Sequence, residues 1–363
     1  MEGTKPPLIV YKNVEPIEVA YLRFRGTYQD IGDRLRQLRE ALGEVIAGDP
    51  ICLYDRTADD VPGGLYIEVC YPVSKLFRRG RVRSKILPGF KAMTAVHPVA
   101  SDAPWGPADW WKELGAHLRA NYLTIDEDPF RELRYQEDGV AMSELQVTLQ
   151  FPRWMEGLSL GLKKHADKTS RSKIMDGAAG LEAVDPIEAR LSWVSQSLKD
   201  LEHMVPDPDT RGRILQCCAH RFPKTRILKM RRLYKKLGSL DALIEWIHQD
   251  KIAHDGASWY GNPVREGNML YDTKGPASPK QYAEAKTSLE KRLARCFCPL
   301  VYAALSLDRD LPVSFCNCSA GYTAQFWEGV LQVPLRIEVL ESVLKGDEVC
   351  RFAMQLPEGR FNV

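Results

Sequence analysis

Two stretches in the first half of the chain alternate between hydrophobic and polar residues. LYIEVCYP begins at residue 65 and LQVTLQFP begins at residue 145, so their starts are 80 positions apart. Alternation with a period of two predicts β-strands that have one covered face. The positions expected beneath a covering helix are Leu65, Ile67, Val69, Tyr71, Leu145, Val147, Leu149 and Phe151. The positions expected on the opposite, ligand-accessible face are Tyr66, Glu68, Cys70, Gln146, Thr148 and Gln150.

A helical pattern precedes each alternating stretch. Thr27 and Asp30 have the spacing of a capping box at a helix start. The hydrophobic stripe behind them, which is predicted to end at Gly48, consists of Ile31, Leu35, Leu38, Leu42 and Ile46. A second helix is predicted to begin at Gly106-Pro107 and to end near Asn121. Its stripe consists of Trp111, Leu114 and Leu118.

The spacing of 80 residues also relates positions outside the alternating stretches. Gly26 corresponds to Gly106, and Cys52 corresponds to Glu132. We therefore predict an α+β fold whose N-terminal part is a tandem repeat of a strand–helix–strand–strand unit. One such unit cannot cover its own sheet, so the two copies are expected to pair and to leave a small-molecule cleft between them.

One carboxylate falls on the predicted cleft, in the segment FRELRY. If Leu133 and Tyr135 face the helices, Glu132 points into the cleft. A partly buried glutamate beside aromatic rings can hold a cationic ligand by charge. Once desolvated, it can instead act as a general base that activates water. The structural alternative is an ion pair with Arg131, Arg134 or another cation.

Three tryptophans lie at the start of the second predicted helix. Trp111 belongs to the hydrophobic stripe and is expected in the core. Trp105 precedes the helix and Trp110 lies off the stripe, so these two are candidate aromatic walls of the cleft. The complete predicted ligand-binding set is Tyr66, Glu68, Trp105, Trp110 and Glu132.

Residues 10–155 resemble the GyrI-like domain, also called the bacterial effector-binding domain. The resemblance rests on the order and spacing of VAYLRFRGTYQDIG, GGLYIEVCYP, the Gly-Pro helix start, FRELRY and SELQVTLQFP. It implies two tandem modules, a drug- or metabolite-binding cleft and a cleft glutamate at Glu132. Members form the drug-sensing part of transcription regulators, and some stand-alone members resemble hydrolases that open strained cyclopropane rings. The chain departs from the family pattern between Gly80 and Trp105, where the stretch is longer than the repeat predicts.

The composition changes after residue 155. Residues 156–184 are rich in glycine, serine and lysine and lose their periodicity, which predicts a linker. We therefore predict a small-molecule-binding domain at 1–155 and a cysteine-rich α/β domain at 185–363. The second domain is expected to open with a helix capped at Asp185-Pro186. The stripe of that helix is Ile187, Leu191, Val194, Leu198 and Leu201.

Seven of the nine cysteines lie in the second domain, namely Cys217, Cys218, Cys296, Cys298, Cys316, Cys318 and Cys350. Cysteine packs as a small hydrophobe, so buried free thiols are the first interpretation. A reactive, catalytic thiol at Cys316 or Cys318 is the second, because the dipole of a following helix would lower its pKa. A zinc site is the third, although Cys-x-Cys spacing gives poor tetrahedral geometry. The candidate zinc ligands are Cys217, His220, Cys296, Cys298, Cys316 and Cys318.

Residues 205–357 resemble cysteine-rich domains of the 2-amino-thiazoline-4-carboxylate hydrolase type and, more distantly, the 4-vinyl reductase type. The most specific part is CNCSAGYTAQFWEGVLQVPLRIEVLESVLKGDEVCRFAMQLP, which predicts a loop, a helix, a strand, a tight turn and a second strand. The resemblance implies an α/β sandwich that binds a ligand or uses thiol chemistry. It names no reaction.

Composition excludes several other classes. The 363 residues have a formal charge of +2 and are 44% hydrophobic, which is ordinary for a soluble globular protein. The basic run KLFRRGRVRSK is most simply a connection between the two repeats. The basic run RFPKTRILKMRRLYKK is most simply the solvent-exposed face of a helix. We expect no nucleic-acid partner, because no helix-turn-helix pattern precedes the first strand. We also expect no membrane span and a cytoplasmic, thiol-reducing location.

Three functional hypotheses follow from these patterns. The first is a cytoplasmic bacterial protein that captures a partly apolar, cationic drug or metabolite in the cleft, as multidrug-binding proteins do. The second is a hydrolase of a strained or electrophilic compound with Glu132 as general base. The third is a thiol- or zinc-dependent activity of the C-terminal domain. The sequence leaves the oligomeric state open and indicates no cofactor apart from the zinc alternative.

Overall fold

The structure is a computed structural model that describes residues 7–55, 65–76, 78–100, 103, 105–106, 110–126, 129–253 and 260–361. The chain divides into two compact units. Residues 1–120 and 124–150 form the first unit, and residues 121–123 and 151–363 form the second. Each unit combines α-helices with an antiparallel sheet, as the α+β prediction expects. Among the described residues, no helix is long and apolar enough to cross a membrane.

The first unit is built on one nine-stranded sheet. Its strands are β1 (Leu8–Val14), β2 (Ile17–Gly26), β3 (Ile51–Asp55), β4 (Leu65–Pro72), β5 (Arg78–Arg79), β6 (Val82–Leu87), β7 (Phe90–Pro98), β8 (Phe130–Glu137) and β9 (Val140–Thr148). Their order across the sheet is β1-β7-β9-β8-β3-β4-β2-β6-β5. The central pair β3–β8 joins one strand from each predicted copy of the repeat, so both halves contribute to a continuous antiparallel sheet.

Two helices belong to this unit, α1 (Ile31–Leu42) and α2 (Trp110–Ala120). The stripe of α1 is buried at every predicted position within the helix: Ile31, Leu35, Leu38 and Leu42. The side chain of Asp30 accepts a hydrogen bond from Thr27 N at 2.7 Å, as the capping-box spacing predicts. The helix stops at Gly43 rather than at Gly48, because Gly43 has a φ of +57° that few other residues adopt.

The strand register assigns side chains to the two faces of the sheet, because directly paired residues point to the same side. Cys52 pairs with Val69 on one side and with Glu132 on the other, and Glu132 pairs with Leu145. Glu132 therefore shares a face with Val69 and Leu145. This is the face that the sequence predicts beneath the helices.

Contacts from both helices support this assignment. The guanidinium of Arg39 in α1 donates to Tyr71 Oη at 3.2 Å. The ring of Trp111 in α2 packs against Phe130, with 4.9 Å between the ring centroids. Tyr71 and Phe130 stand two residues from Val69 and Glu132 on their own strands, so both helices lie on the face that carries Glu132.

The prediction that Leu133 and Tyr135 face the helices is wrong. Leu133 pairs with Ile51, one residue out of phase with Glu132, and Tyr135 lies on the same side as Leu133. Leu133 instead packs on the opposite face, against the buried cluster of Val19, Ile51, Cys70 and Leu87. Both faces of the sheet therefore carry apolar clusters.

The second unit contains ten helices and a four-stranded sheet among the described residues. Its helices are α3 (Gln150–His165), whose first residue belongs to the first unit, α4 (Lys168–Ile174), α5 (Ile187–Met204), α6 (Pro208–Gln216), α7 (Lys224–Leu237), α8 (Leu240–Ala253), α9 (Pro279–Glu284), α10 (Ser288–Arg295), α11 (Pro299–Ser306) and α12 (Asn317–Leu331). Its strands are β10 (Asn262–Glu266), β11 (Met269–Thr273), β12 (Arg336–Glu341) and β13 (Arg351–Gln355), in the order β10-β11-β13-β12.

The core of this unit forms where α7, α8 and α12 meet the sheet. Trp327 of α12 is fully buried, and its Nε1 donates to Asp272 Oδ2 of β11 at 2.9 Å. Met230, Leu243 and Phe352 belong to the same buried cluster. The order of helix, strand, turn and strand near the C-terminus is the one that the sequence predicts.

The segment predicted as a linker at 156–184 is largely helical, which corrects that interpretation. It contains most of α3 and all of α4. The glycines in α3 serve close packing rather than flexibility: a Cβ added at Gly157 would lie 2.4 Å from Cys217 O, and one at Gly161 would lie 2.4 Å from Ile214 O. Asp167 caps α4 by accepting from Ser170 N at 2.9 Å.

Candidate functional site

The candidate site is centred on Glu132, which is 1% exposed in the middle of β8. Tyr54 Oη and the backbone N–H of Gly106 both donate to Glu132 Oε2, the latter at 3.0 Å. Arg134 Nε donates to Oε1 at 3.0 Å, and Ser143 Oγ donates to the same oxygen at 3.2 Å. The buried carboxylate is therefore fully hydrogen-bonded, as a buried charge has to be.

Aromatic rings lie beside two of the donors to this carboxylate, Tyr54 and Arg134. Tyr28 packs edge-on against Tyr54, with ring centroids 5.4 Å apart. Trp105 lies beneath the guanidinium of Arg134, whose Cζ is 4.6 Å from the ring centroid. Trp111 packs on Phe130 on the same side of the sheet.

The loop before α2 comes close to these rings at one glycine. Gly106 has a φ of +107°, and an added Cβ would lie only 2.6 Å from the ring of Tyr28. Both observations require glycine at this position, because a larger residue would be strained and would collide with the ring.

Arg134 is the charge partner of Glu132. Its side chain is 15% exposed and forms an ion pair with the carboxylate at 3.0 Å. Its Nη1 also donates to Ala103 O at 2.5 Å. Of the alternatives that the sequence leaves open for Glu132, the pairing with Arg134 is the arrangement in this structure. Arg134 also lines a half-open cavity of about 150 Å³.

Two neighbours of Glu132 stay protonated near neutral pH. Burial is the main cause that raises the pKa of Tyr54, and the charge of Glu132 and its hydrogen bond with Tyr54 raise it further. Burial likewise raises the pKa of the Cys52 thiol, which shares the face of Glu132. A neutral Tyr54 keeps the phenolic proton that it donates to the carboxylate.

Tyr66 and Glu68 lie on the other face of the sheet. Glu68 pairs with Arg23, in register on β2, and also forms ion pairs with Lys85. Tyr66 is 37% exposed, and Arg25 lies over its ring at 4.6 Å from the centroid. The predicted ligand-binding set is therefore split, because Glu132 and Trp105 lie on the helix-covered side while Tyr66 and Glu68 do not. The side chain of Trp110 lies outside the described residues.

Sequence reasoning missed Tyr28, Tyr54, Arg134 as a fixed partner, and Ser143. Tyr54 and Ser143 belong to β3 and β9, the two neighbours of β8, and they share a face with Glu132 through the register. The repeat contains a signal for Tyr54. Cys52 corresponds to Glu132, and Tyr54 stands two residues after Cys52, so its side chain points to the same side of the strand.

Of the C-terminal cysteines, Cys218, Cys316 and Cys318 are buried free thiols, and Cys217, Cys296, Cys298 and Cys350 are half-buried free thiols. Burial raises the pKa of Cys316 to about 12 and also raises the pKa of Cys318. These shifts are opposite in direction to the lowering that the sequence predicts, because burial removes the solvation of the thiolate. Within the described residues, no group of three or more His, Cys, Asp or Glu side chains has an arrangement that could hold a metal ion. His220, another candidate ligand, packs against the ring of Tyr322 instead.

Comparison with known proteins gives partial structural matches only. No protein-family model and no curated protein matches the chain. The chain is similar to EcmrR in its complex with DNA, with a TM-score of 0.33 and 15% identity over 39% of this chain and 57% of that chain. It is also similar to the EcmrR C-terminal domain, with a TM-score of 0.31 and 17% identity over 39% of this chain and 97% of that one. It is also similar to SAV2435 bound to tetraphenylphosphonium (TM-score 0.27, 10% identity), over 40% of this chain and 94% of that one. At these TM-scores the matches carry no argument about function, and the GyrI-like resemblance stays a prediction.

Proposed function

We propose that the first unit binds an organic cation with aromatic or apolar substituents, and that Glu132 supplies the counter-charge. The observation that carries this proposal is a carboxylate that is 1% exposed and whose donors are flanked by the rings of Tyr28 and Trp105. A desolvated carboxylate attracts a cation more strongly than an exposed one, and the electron-rich faces of aromatic rings add to that attraction.

The guanidinium of Arg134 occupies the position that the cation of the proposed ligand would take. This planar cation contacts Glu132 and the face of Trp105 at the same time, which are the two contacts that an aromatic organic cation would make. Binding of the ligand would replace these contacts, and the cavity that Arg134 lines gives its side chain room to turn away. In this proposal, the binding free energy is the free energy of the ligand's own contacts minus that of the Arg134 contacts that the ligand displaces.

The hydrogen bonds of Glu132 favour binding over the hydrolase alternative. Four donors, including the Gly106 N–H and the Arg134 guanidinium, point at its two oxygens. A carboxylate has about four acceptor positions, so these donors occupy all of them. A general base needs a free acceptor within reach of the water that it activates, whereas a ligand cation can take the place of Arg134.

Isothermal titration calorimetry with tetraphenylphosphonium, a lipophilic cation, tests the proposal. The substitution Glu132→Gln removes the charge with little change of shape and is expected to weaken binding at least about tenfold, or ~1.4 kcal/mol. Arg134→Gln is expected to tighten binding by several-fold, because it removes the internal competitor.

Glu68→Gln is the matched control, because Glu68 is another ion-paired glutamate of the same sheet on the opposite face. It should leave the affinity within about twofold of wild type, a change of less than ~0.5 kcal/mol. Equal affinities of the wild type and Glu132→Gln would overturn the proposal. Equal binding of neutral triphenylphosphine oxide would do the same, since charge would then play no part.

A further inference from the structure

A lysine and a serine of the second unit meet near Cys296, Cys318 and Cys350. Lys274 follows directly after β11, and Ser319 is the third residue of α12. Lys274 Nζ lies 2.7 Å from Ser319 Oγ. The ammonium nitrogen also lies 4.9 Å from the ring centroid of Tyr322 and 5.7 Å from that of Phe352. A lysine and a hydroxyl at hydrogen-bond distance form one of the known arrangements of a base and a nucleophile.

The surroundings of Lys274 favour its neutral form. Burial lowers the pKa of Lys274 and outweighs the groups that act in the opposite direction, which are Cys350, Cys318, Asp272 and Cys296. Burial also raises the pKa values of the Cys296 and Cys318 thiols, so these two neighbours are uncharged near neutral pH.

The remaining charged neighbours of Lys274 are engaged with other groups. Asp272 Oδ2 accepts from Trp327 Nε1 at 2.9 Å. The guanidinium of Arg295 donates to Lys274 O and to Glu348 O, at 2.7 and 3.1 Å. An amine in this environment loses its proton more readily than an ordinary lysine and can then accept one from the neighbouring hydroxyl.

The backbone holds both groups in place. Lys274 N donates to Cys350 O at 3.0 Å, and the guanidinium of Arg295 donates to the carbonyl oxygen of Lys274. Ser319 stands in the first turn of a 15-residue helix, and the hydroxyl of Thr323 donates to its carbonyl at 3.4 Å. The N-terminal end of a helix carries a partial positive charge, which favours negative charge that develops on a neighbouring oxygen.

We propose that Ser319 and Lys274 form a nucleophilic dyad that hydrolyses a small ester or thioester with an apolar acyl group. Ser319 Oγ adds to the acyl carbon while neutral Lys274 Nζ takes the hydroxyl proton. The bond from the acyl carbon to the leaving oxygen or sulfur then breaks, and the leaving group takes the proton from Nζ. Water attacks the acyl-serine, Nζ takes a proton from the water, and Ser319 leaves with that proton as the acid is released.

The apolar acyl group follows from the walls of the site. Tyr322 and Phe352 flank the lysine with their rings, and both belong to the hydrophobic core region of the unit. These apolar rings would pack against an apolar acyl chain, and neither ring carries a charge that could bind a charged acyl chain. This site is independent of Glu132, which belongs to the other unit.

The test uses the full reduced chain and a fluorophosphonate probe, followed by peptide mapping, together with hydrolysis of p-nitrophenyl butyrate. We expect the wild-type protein to carry the label on Ser319. The labelling rate should rise with pH as the lysine loses its proton, and it should level off below the ordinary lysine pKa of about 10.4. This measurement needs no variant, so it does not depend on whether a substitution folds.

Substitutions then separate the two roles. Ser319→Ala should abolish the label, and Lys274→Arg, which keeps a long basic side chain but stays protonated and cannot act as a base, should slow labelling at least about 100-fold. Ser314→Ala is the control, because Ser314 lies just before α12 and bonds to Glu202 at 2.8 Å; it should stay within about twofold of wild type. A wild-type protein without label on Ser319 would overturn the dyad, as would label on Cys318 instead or a folded Lys274→Arg variant that reacts at the wild-type rate.

Discussion

Gly106 is a residue of the candidate site whose backbone is tightly constrained. Its N–H donates to Glu132, its φ is +107°, and a Cβ added to it would lie 2.6 Å from the ring of Tyr28. Gly106→Ala is expected to lower the free energy of unfolding by about 1–3 kcal/mol, because strain and a clash occur together. It should also weaken binding of tetraphenylphosphonium, since relief of the clash moves a donor away from Glu132. Urea denaturation and calorimetry measure the two effects.

Gly115→Ala in α2 is the control for that substitution. Gly115 lies within the helix, and an added Cβ would come no closer than 3.3 Å, to the flexible end of Arg119. Alanine should therefore be neutral or should stabilise the helix by up to ~1 kcal/mol. If Gly106→Ala were as stable as Gly115→Ala and bound the cation equally well, the close packing of Gly106 on Tyr28 would be unimportant.

The orientation of Glu132 shows what the sequence can and cannot predict for a single residue. Its presence at a central position of the first unit followed from its correspondence with Cys52 in the repeat. The face of the sheet on which Glu132 lies did not follow, because Leu133 and Tyr135 indicated that the other side of the strand lies beneath a helix. In the structure, that side packs against an apolar cluster of its own. When both faces of a sheet are apolar, alternation gives the phase of a strand but not the identity of each face.

At the scale of elements, helices with a clear stripe were predictable and close-packed helices were not. The stripes of α1 and α5 are buried as their spacing predicts. The helix α3 was predicted in part as strand and in part as linker, because its glycines suggested flexibility. Those glycines face the backbone of residues 214–218, so their function depends on a neighbour that is distant in sequence. Local composition cannot reveal such a neighbour.

This packing predicts an unusual response to substitution in α3. Glycine to alanine inside a helix normally stabilises by up to ~1 kcal/mol. At Gly161, however, the added Cβ would meet the backbone of Ile214 at 2.4 Å, and backbone cannot turn away as a side chain can. Gly161→Ala is therefore expected to lower the free energy of unfolding by about 1–3 kcal/mol in urea denaturation.

The facing helix α6 provides the control. A Cβ at Gly212 would meet its nearest neighbour, Asn317 Oδ1, at the ordinary distance of 3.5 Å. Gly212→Ala should keep or slightly raise the stability, and the contrast between the two variants measures the close approach of α3 to α6. Equal stabilities for the two variants would argue against that approach.

At the scale of the whole molecule, the free cysteines set the response to alkaline pH. Burial is the largest cause of raised pKa values at Cys52, Cys70, Cys218, Cys296, Cys298, Cys316 and Cys318. In the unfolded chain, these thiols ionise near pH 8.5. The unfolded state therefore loses protons that the folded state keeps, so their contribution to stability is complete below that pH and is lost as the pH rises. Lys274 and Arg190, whose pKa values are lowered, act in the opposite direction but are fewer than the buried thiols.

We therefore expect the free energy of unfolding to fall by at least about 2 kcal/mol between pH 8.5 and 9.5, since each thiol that ionises only in the unfolded state contributes up to ~1.4 kcal/mol per pH unit. Urea denaturation with a phosphine reductant, followed by tryptophan fluorescence, measures this slope without disulfide formation. Cys318→Ala should reduce the slope, whereas Cys217→Ala should change it less, because Cys217 is only half-buried and its thiol pKa is raised to a smaller extent. A stability that stays constant up to pH 9.5 would mean that the thiols reach solvent in the folded protein. That result would also remove the dry surroundings on which the lowered pKa of Lys274 depends.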